Sequence, residues 1–227
     1  PVDEVYVPAE GQPSAQKDLC VAFDNGPGSL AARLRELGVA FQGFESADDV
    51  GGTWHPSRCY AGLRLHTPAY AASFGGFPYP EDERDACPDG ATVHAYLRRF
   101  ASAHDLLSCF AFSSRVLRIC YDARRRTATI DVASAPPSST PPSGTPPPPP
   151  RAETWGPFDL VVYASTAARP TLPPLPGRFD GAICHACECT ASAVARLAHE
   201  RRRVLVVGAG KSACDLIVSL AAAGVPP

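Results

Sequence analysis

The sequence predicts an α/β protein in which parallel strands alternate with helices and an antiparallel hairpin is set among them. Three observations carry this. Near the N-terminus an apolar run is followed by a glycine turn, an amphipathic helix and a second apolar run. The same order of apolar run, glycine turn and helix returns at 203–227, RVLVVGAGKSACDLIVSLAAAGVPP. Between them, two strand-like segments flank ARRR at 123–126, the pattern of a hairpin. Strand, glycine turn, helix and strand make the unit of a parallel nucleotide-binding sheet, so the expected fold is Rossmann-type.

Each element follows from its residues. LCVAF at 19–23 reads as a buried strand, and NGPG at 25–28 as its turn. SLAARLRELG places Leu30, Leu34 and Leu37 on one helical face, with Gly38 at the C′ stop. VAFQGFE at 39–45 is the next strand. Residues 46–90, rich in Gly, Pro and aromatics, read as loop with short helical turns. ATVHAYLRRFASAHD at 91–105 is an amphipathic helix with Val93, Tyr96, Leu97 and Phe100 on its apolar face. RVLRICYD (115–122) and TATIDVA (127–133) form the hairpin.

SAPPSSTPPSGTPPPPP then carries no large apolar group and cannot build a core. It is expected to be a disordered or polyproline-II insertion within 134–152, with an SH3- or WW-type contact as its functional alternative. Because FDLVVYAST at 158–166 resumes as a strand running into a turn, the tract is an enlarged loop inside a domain. The expected boundaries are 18–176 for the first domain and 177–227 for the start of a second.

Composition narrows the function classes. A hydrophobic content of 45% with 19% charged residues is that of a soluble globular chain. A net charge of −2 gives no pull toward nucleic acid or an anionic membrane. No apolar run is long enough to span a bilayer, and residues 1–17 lack the features of a secretory signal. The expected location is cytoplasmic, or the cytosolic face of an organelle membrane if a further C-terminal segment anchors the protein. The chain contains no Met, so it is expected to be a piece of a longer sequence. Nine scattered Cys read as reduced thiols.

Gly208, Gly210 and Ala213 make G-x-G-x-x-A between a strand and a helix. The first glycine allows a tight turn, the second lets a pyrophosphate approach the backbone, and the small third residue lets helix and strand pack. The helix N-terminus adds free N–H groups and partial positive charge. Gly26, Gly28 and Ala31 repeat the motif, and Glu45 ends the following strand where an acid can bind a ribose hydroxyl. A second register, with Asp24, Gly26 and Ser29 in the three slots, stays open. CHACEC at 184–189 offers Cys184, His185, Cys187 and Cys189 to a metal. However, six consecutive residues cannot easily surround a tetrahedral ion, and no metal is expected. A Cys184–Cys187 redox pair is the other reading of that stretch.

Between the two turns stand VGGTW at 50–54, CYAGLRLHTP at 59–68, FGGFPYP at 74–80 and YLRRFASAHDL at 96–106. FDGAICH at 179–185, an F-x-G-x-x-x-H, comes shortly before VVGAGKSACD. In this order they resemble the flavin-containing monooxygenases, including their Baeyer–Villiger and YUCCA-type relatives, over residues 18–224 apart from the proline-rich tract.

The resemblance implies an FAD domain followed by the start of an NADPH domain. It implies that Gly26 and Gly28 hold the FAD pyrophosphate, that Glu45 binds the adenosine ribose, and that Gly51, Gly52, Thr53 and Trp54 line the flavin. Leu65, His66 and Thr67 would lie near the reacting rings, with His66 as the catalytic residue. Gly208, Gly210, Ser212, Ala213, Cys214 and Asp215 would meet NADPH. Phe179, Gly181 and His185 form the fingerprint.

The implied activity is an N,N-dimethylaniline-type monooxygenation. O2 would react through a flavin C4a-hydroperoxide to oxygenate a small molecule at nitrogen, at sulfur or at a carbonyl. Departures at Asp24–Asn25, at Ala164–Ser165–Thr166 in place of A-T-G, and at Ala186 in place of Ser keep a second reading open. That reading is a non-catalytic flavoprotein-like or interaction module.

Overall fold

A computed structural model describes residues 34–134, 151–164, 172 and 176–226. The chain divides into two compact units. Of the described residues, the first unit takes those up to Val50 and those from Ala101 to Ala164. The second takes Gly51–Phe100 and those from 172 onward.

In the first unit, a helix described over 34–36 ends where the sequence places its stop. Gly38 has φ 68°, its N–H donates to Arg35 O at 3.0 Å, and the Val39 N–H donates to Leu34 O at 2.9 Å. This is the paired 5→2 and 6→1 closure that a left-handed C′ glycine permits. The expected strand over 39–45 is paired only at β1 (Gly43–Phe44), which runs parallel to β2 (Phe110–Ala111). The short parallel ladder is extended by the Glu45 N–H, which donates to Ala111 O at 3.0 Å.

Three antiparallel strands follow: β3 (Ser114–Asp122), β4 (Thr127–Ser134) and β5 (Arg151–Phe158), in the order β3-β4-β5. The β3–β4 hairpin is the expected one. Its turn is held by Asp122 Oδ1, which accepts the Arg124 and Arg125 N–H groups at 2.9 and 3.1 Å. Central β4 buries Ala128, Ile130 and Val132 at alternate positions, the period of a strand with one covered face.

The third strand differs from the sequence expectation. The ladder runs through RAETWGPF rather than FDLVVY, and of the expected strand only Phe158 is paired. Pro157 brings no N–H to the ladder, and a strand at the edge of a sheet tolerates a missing N–H. Residues 160–163 lie outside any ladder, with Leu160 79% exposed. Ser134 pairs with Arg151, so the proline-rich insertion is narrower than 134–152. Its remaining residues, 135–150, and the disorder expected of them lie outside the described residues.

In the second unit, α1 (Gly90–Ala103), which belongs to it as far as Phe100, realises the helix expected at 91–105. Asp89 Oδ1 accepts the Thr92 N–H at 2.8 Å and caps its start. Val93, Tyr96 and Phe100 are buried, as the periodicity requires. They close on the aromatics of the preceding loop. Tyr79 stacks on Tyr96 with ring centroids 3.9 Å apart, and Phe74 lies 4.3 Å from Phe100. The Tyr96 hydroxyl sits inside this cluster, accepting the Phe74 N–H at 2.6 Å and donating to Phe77 O at 2.7 Å.

α2 (Ala191–His199) and α3 (Lys211–Ala222) pack around a second core of Ala61, Cys189, Val194, Leu216 and Leu220. The expected strand VLVV runs between them without a strand partner among the described residues. Val204 and Val206 pack against that core, whereas Leu205 is 87% and Val207 65% exposed. A segment apolar on both faces suits the interior of a parallel sheet. Here only one face is covered. No described helix is long and apolar enough to cross a membrane.

The Tyr96 hydroxyl supplies both partners of two backbone groups in the aromatic cluster, so Tyr96→Phe keeps the ring and strands both groups. The variant is expected to lose about 1–3 kcal/mol in urea unfolding with near-UV circular dichroism retained.

Candidate active site

The site is built on the start of α3. Gly208 has φ 120°, a conformation that L side chains rarely adopt, and this turns the chain into the helix. Gly210 is the N-cap and makes no side-chain capping bond; the Cys214 N–H closes the first turn on Gly210 O at 3.1 Å. A Cβ built at either glycine meets nothing within 4 Å among the described residues. Ala213 is buried at 9% exposure, Ser212 is partly buried and Cys214 is exposed.

One turn into the helix, Asp215 carries a carboxylate whose side chain is only 8% exposed. Three side chains donate to it. Lys211, at i−4 on the same helix, brings its ammonium to 2.6 Å from Oδ2. Tyr60 donates its hydroxyl to Oδ2 at 2.9 Å, and Lys211 lies 3.3 Å from that hydroxyl. His66 Nε2 is 3.1 Å from Oδ1.

Tyr60 and His66 are brought there by the loop at 59–67. Gly62 has φ 81°, and a Cβ at this position would collide with the Ser219 hydroxyl and lie 3.0 Å from Asp215 O. Glycine therefore lets the loop lie flat on α3. The Ala61 N–H donates to Cys189 O at 2.9 Å on one side, and the Leu65 N–H to Pro88 O at 2.9 Å on the other. Leu65 is partly buried, whereas His66 and Thr67 face solvent.

Burial pushes the Asp215 carboxyl up, but hydrogen bonds from Lys211, Tyr60 and His66 outweigh it and hold the group below its ordinary 3.8. Burial pushes the Lys211 ammonium down. Asp215 and Tyr60 outweigh that too, and hold it above its ordinary 10.5.

The other residues singled out by sequence fall as follows. Gly26 and Gly28 lie outside the described residues. Glu45, in the first unit, turns its Oε1 onto its own chain, accepting from the Ala47 N–H at 2.8 Å and the Ser46 hydroxyl at 3.2 Å. Gly51 leads into a 3-10 turn over Gly52–Trp54, closed by the Trp54 N–H on Gly51 O at 2.8 Å. A Cβ at Gly51 would come within 2.9 Å of the His94 ring, so packing alone requires glycine there. Thr53 is exposed and Trp54 partly buried.

Phe179 is 68% exposed. His185 caps the turn Ala186–Glu188, its Nδ1 accepting the Cys187 N–H at 3.3 Å, while its own N–H donates to Glu188 Oε2 at 2.7 Å. Burial and then Glu188 push the Cys187 thiol up, away from the thiolate that redox chemistry needs. Among the described residues no three His, Cys, Asp or Glu are gathered to hold a metal.

Sequence reasoning singled out His66 and Asp215 separately but missed Tyr60 and Lys211. Lys211 was findable as a lysine four residues before an acid on one helix. Nothing local marks Tyr60.

The glycine turn that starts α3 is thus tied through the Asp215 carboxylate to the loop that carries His66. Comparison with known proteins finds that the chain is similar to proteins named as FAD-dependent and flavin-containing monooxygenases. It is 29% identical over 226 residues, 92% of this chain, to "Indole-3-pyruvate monooxygenase YUCCA8" of Oryza sativa subsp. indica, covering 48% of that protein. It is 27% identical over 196 residues to "Probable flavin-containing monooxygenase 1" of Arabidopsis thaliana, with 79% of this chain and 37% of that protein covered. With "FAD-dependent monooxygenase" of Pyrenophora dematioidea it shares 27% identity over 183 residues, 77% of this chain and 31% of the other. The chain thus spans about a third to a half of the length of these relatives.

No family model matches. Among solved structures, "Oxidized steroid monooxygenase bound to NADP" aligns at 27% identity and TM-score 0.39, over 45% of this chain and 20% of that one.

Asp215 stabilises the fold only while ionised. Because its pKa is depressed, that contribution is full above 3.8 and is lost as pH falls through the lower folded value. In urea titrations, Asp215→Asn is expected to be less stable than the wild type at neutral pH. The gap should narrow once the pH drops below 3.8.

Proposed function

We propose that this chain carries part of the cofactor machinery of an FAD- and NADPH-dependent monooxygenase acting on a small molecule and O2. The observation that carries the reading is the His66–Asp215 contact at 3.1 Å. It joins the L-H-x-P loop to the helix of the second glycine turn across 149 residues of sequence. The names of the relatives support the same chemistry.

The residues at the second turn fit a dinucleotide phosphate. The space a Cβ would occupy at Gly208 and Gly210 is empty, and no side chain caps the helix start. Gly208, Gly210, Ser212, Ala213 and Cys214 would hold the NADPH phosphates there. Gly26, Gly28, Glu45 and Gly51–Trp54 would hold FAD. Bound FAD, reduced by NADPH, would supply the activation of O2 and the transfer of one oxygen to a nitrogen, a sulfur or a carbonyl, in an N,N-dimethylaniline-type reaction. Within the chain, His66 exchanges a proton at its ring, and Leu65 and Thr67 would lie with it near the flavin and nicotinamide. Lys211 keeps Asp215 ionised beside it.

A second reading is favoured by one observation. The segment before the second turn leaves Leu205 and Val207 exposed, so a non-catalytic flavoprotein-like module is the alternative.

Purified chain soaked with FAD is expected to acquire a flavin spectrum and oxidise NADPH. Gly210→Ser should keep the fold, because serine is a good N-cap and its Cβ meets no protein atom. The same Cβ enters the phosphate space, so NADPH should bind at least about tenfold more weakly. A colourless protein inert to NADPH would contradict the enzymatic reading and leave the alternative.

A further inference from the structure

We propose that Asp215 is the positioning residue for His66, holding the ring by Nε2 so that Nδ1 is the nitrogen that meets the ligand. The inference rests on the reading of His66 as the proton-handling residue, but the geometry behind it does not need a cofactor.

An ionised carboxylate only accepts hydrogen bonds, so the ring atom 3.1 Å from Asp215 Oδ1 must carry the proton. The neutral imidazole is then the Nε2–H tautomer, and Nδ1 presents a lone pair. When the ring gains a proton, Nδ1 becomes the donor. Asp215 therefore decides which nitrogen does chemistry and in which sense.

Three features suit Asp215 to this role. Its side chain is 8% exposed, so water competes little for Oδ1. Oδ2 is already committed to Lys211 at 2.6 Å and Tyr60 at 2.9 Å, which leaves Oδ1 to the histidine. Lys211 supplies the countercharge that a buried carboxylate needs. His66, by contrast, is 53% exposed, and among the described residues its ring is hydrogen-bonded to Asp215. Without that bond an exposed imidazole samples several rotamers. Asp215 also lies five residues beyond the Gly210 N-cap, so the ring is registered to the helix that starts at the glycine turn.

A purely structural role, in which Asp215 merely fastens the loop to α3, would leave the ring's protonation pattern unaffected. Nitrogen-15 NMR of the full chain labelled at histidine separates the two. The His66 signals are assigned by their loss in His66→Gln.

The wild type at a pH where imidazole is neutral should show Nε2 protonated and Nδ1 bare. The Nε2–H proton should exchange with water at least about tenfold more slowly than in Asp215→Ala, the protection expected of a charge-assisted hydrogen bond. Asp215→Glu should recover part of that protection, and Tyr60→Phe should keep the tautomer. A wild-type ring protonated at Nδ1 overturns the proposal, and this reading stands even if Asp215→Ala fails to fold. Equal exchange in wild type and Asp215→Ala overturns it as well. Flavin binding is scored separately on the same samples. A protected Nε2–H in a protein that binds no flavin keeps this inference and removes the enzymatic reading, and turnover with an unprotected ring does the reverse.

Discussion

A single buried carboxylate organises the part of this chain that carries its chemistry. Asp215 would be costly to bury alone, since an unpaired charge in a low-dielectric setting costs far more than a packed side chain returns. Three donors from two segments remove that cost together. Lys211 comes from the helix itself, while Tyr60 and His66 come from a loop about 150 residues earlier in the chain. The carboxylate is thus a structural tie and a chemical one at once. Departure of the loop would take two of the three donors from Asp215 and leave it with Lys211 alone.

Backbone geometry makes the tie possible. Gly62 lets the loop approach Asp215 O and Ser219 closely, and Gly208 turns the chain so that α3 starts at Gly210 with no side-chain cap. These two glycines do different work. At Gly62 the Cβ is excluded by protein atoms, so the requirement is packing. At Gly208 and Gly210 a Cβ would meet nothing within 4 Å among the described residues, so packing does not require glycine there; at Gly208 the φ of 120° does. Gly51 belongs with Gly62: His94 fills the space beside it, so glycine in GGTW is accounted for by packing.

Local features were legible in the sequence, and long-range ones were not. The Gly38 stop, the apolar face of α1 and the β3–β4 hairpin follow from periodicity and turn chemistry within about fifteen residues, and the structure has all three. The glycine turn at 208–210 was legible for the same reason. β5 was not expected: the insertion was read to 152 and the next strand from 158, whereas RAETWGPF pairs with β4 at the sheet edge, where the missing N–H of Pro157 is tolerated. The strands expected at 158–164 and 203–207 were read from apolar content alone. Pairing is a tertiary property, and these segments have no ladder among the described residues. Within the site, His66 and Asp215 were each singled out for a separate ligand role. Their contact with one another, and Tyr60 altogether, depend on a loop-to-helix packing that no local pattern encodes.

The central claim is that the loop and the helix are energetically joined through Asp215. A double-mutant cycle with Tyr60→Phe, Asp215→Asn and the pair, followed by urea unfolding at neutral pH, measures this directly. The account predicts a coupling of about 0.5–3 kcal/mol, as expected of side chains that share one hydrogen-bond network. Additivity to within about 0.3 kcal/mol would mean that the two segments merely lie side by side, and would contradict it.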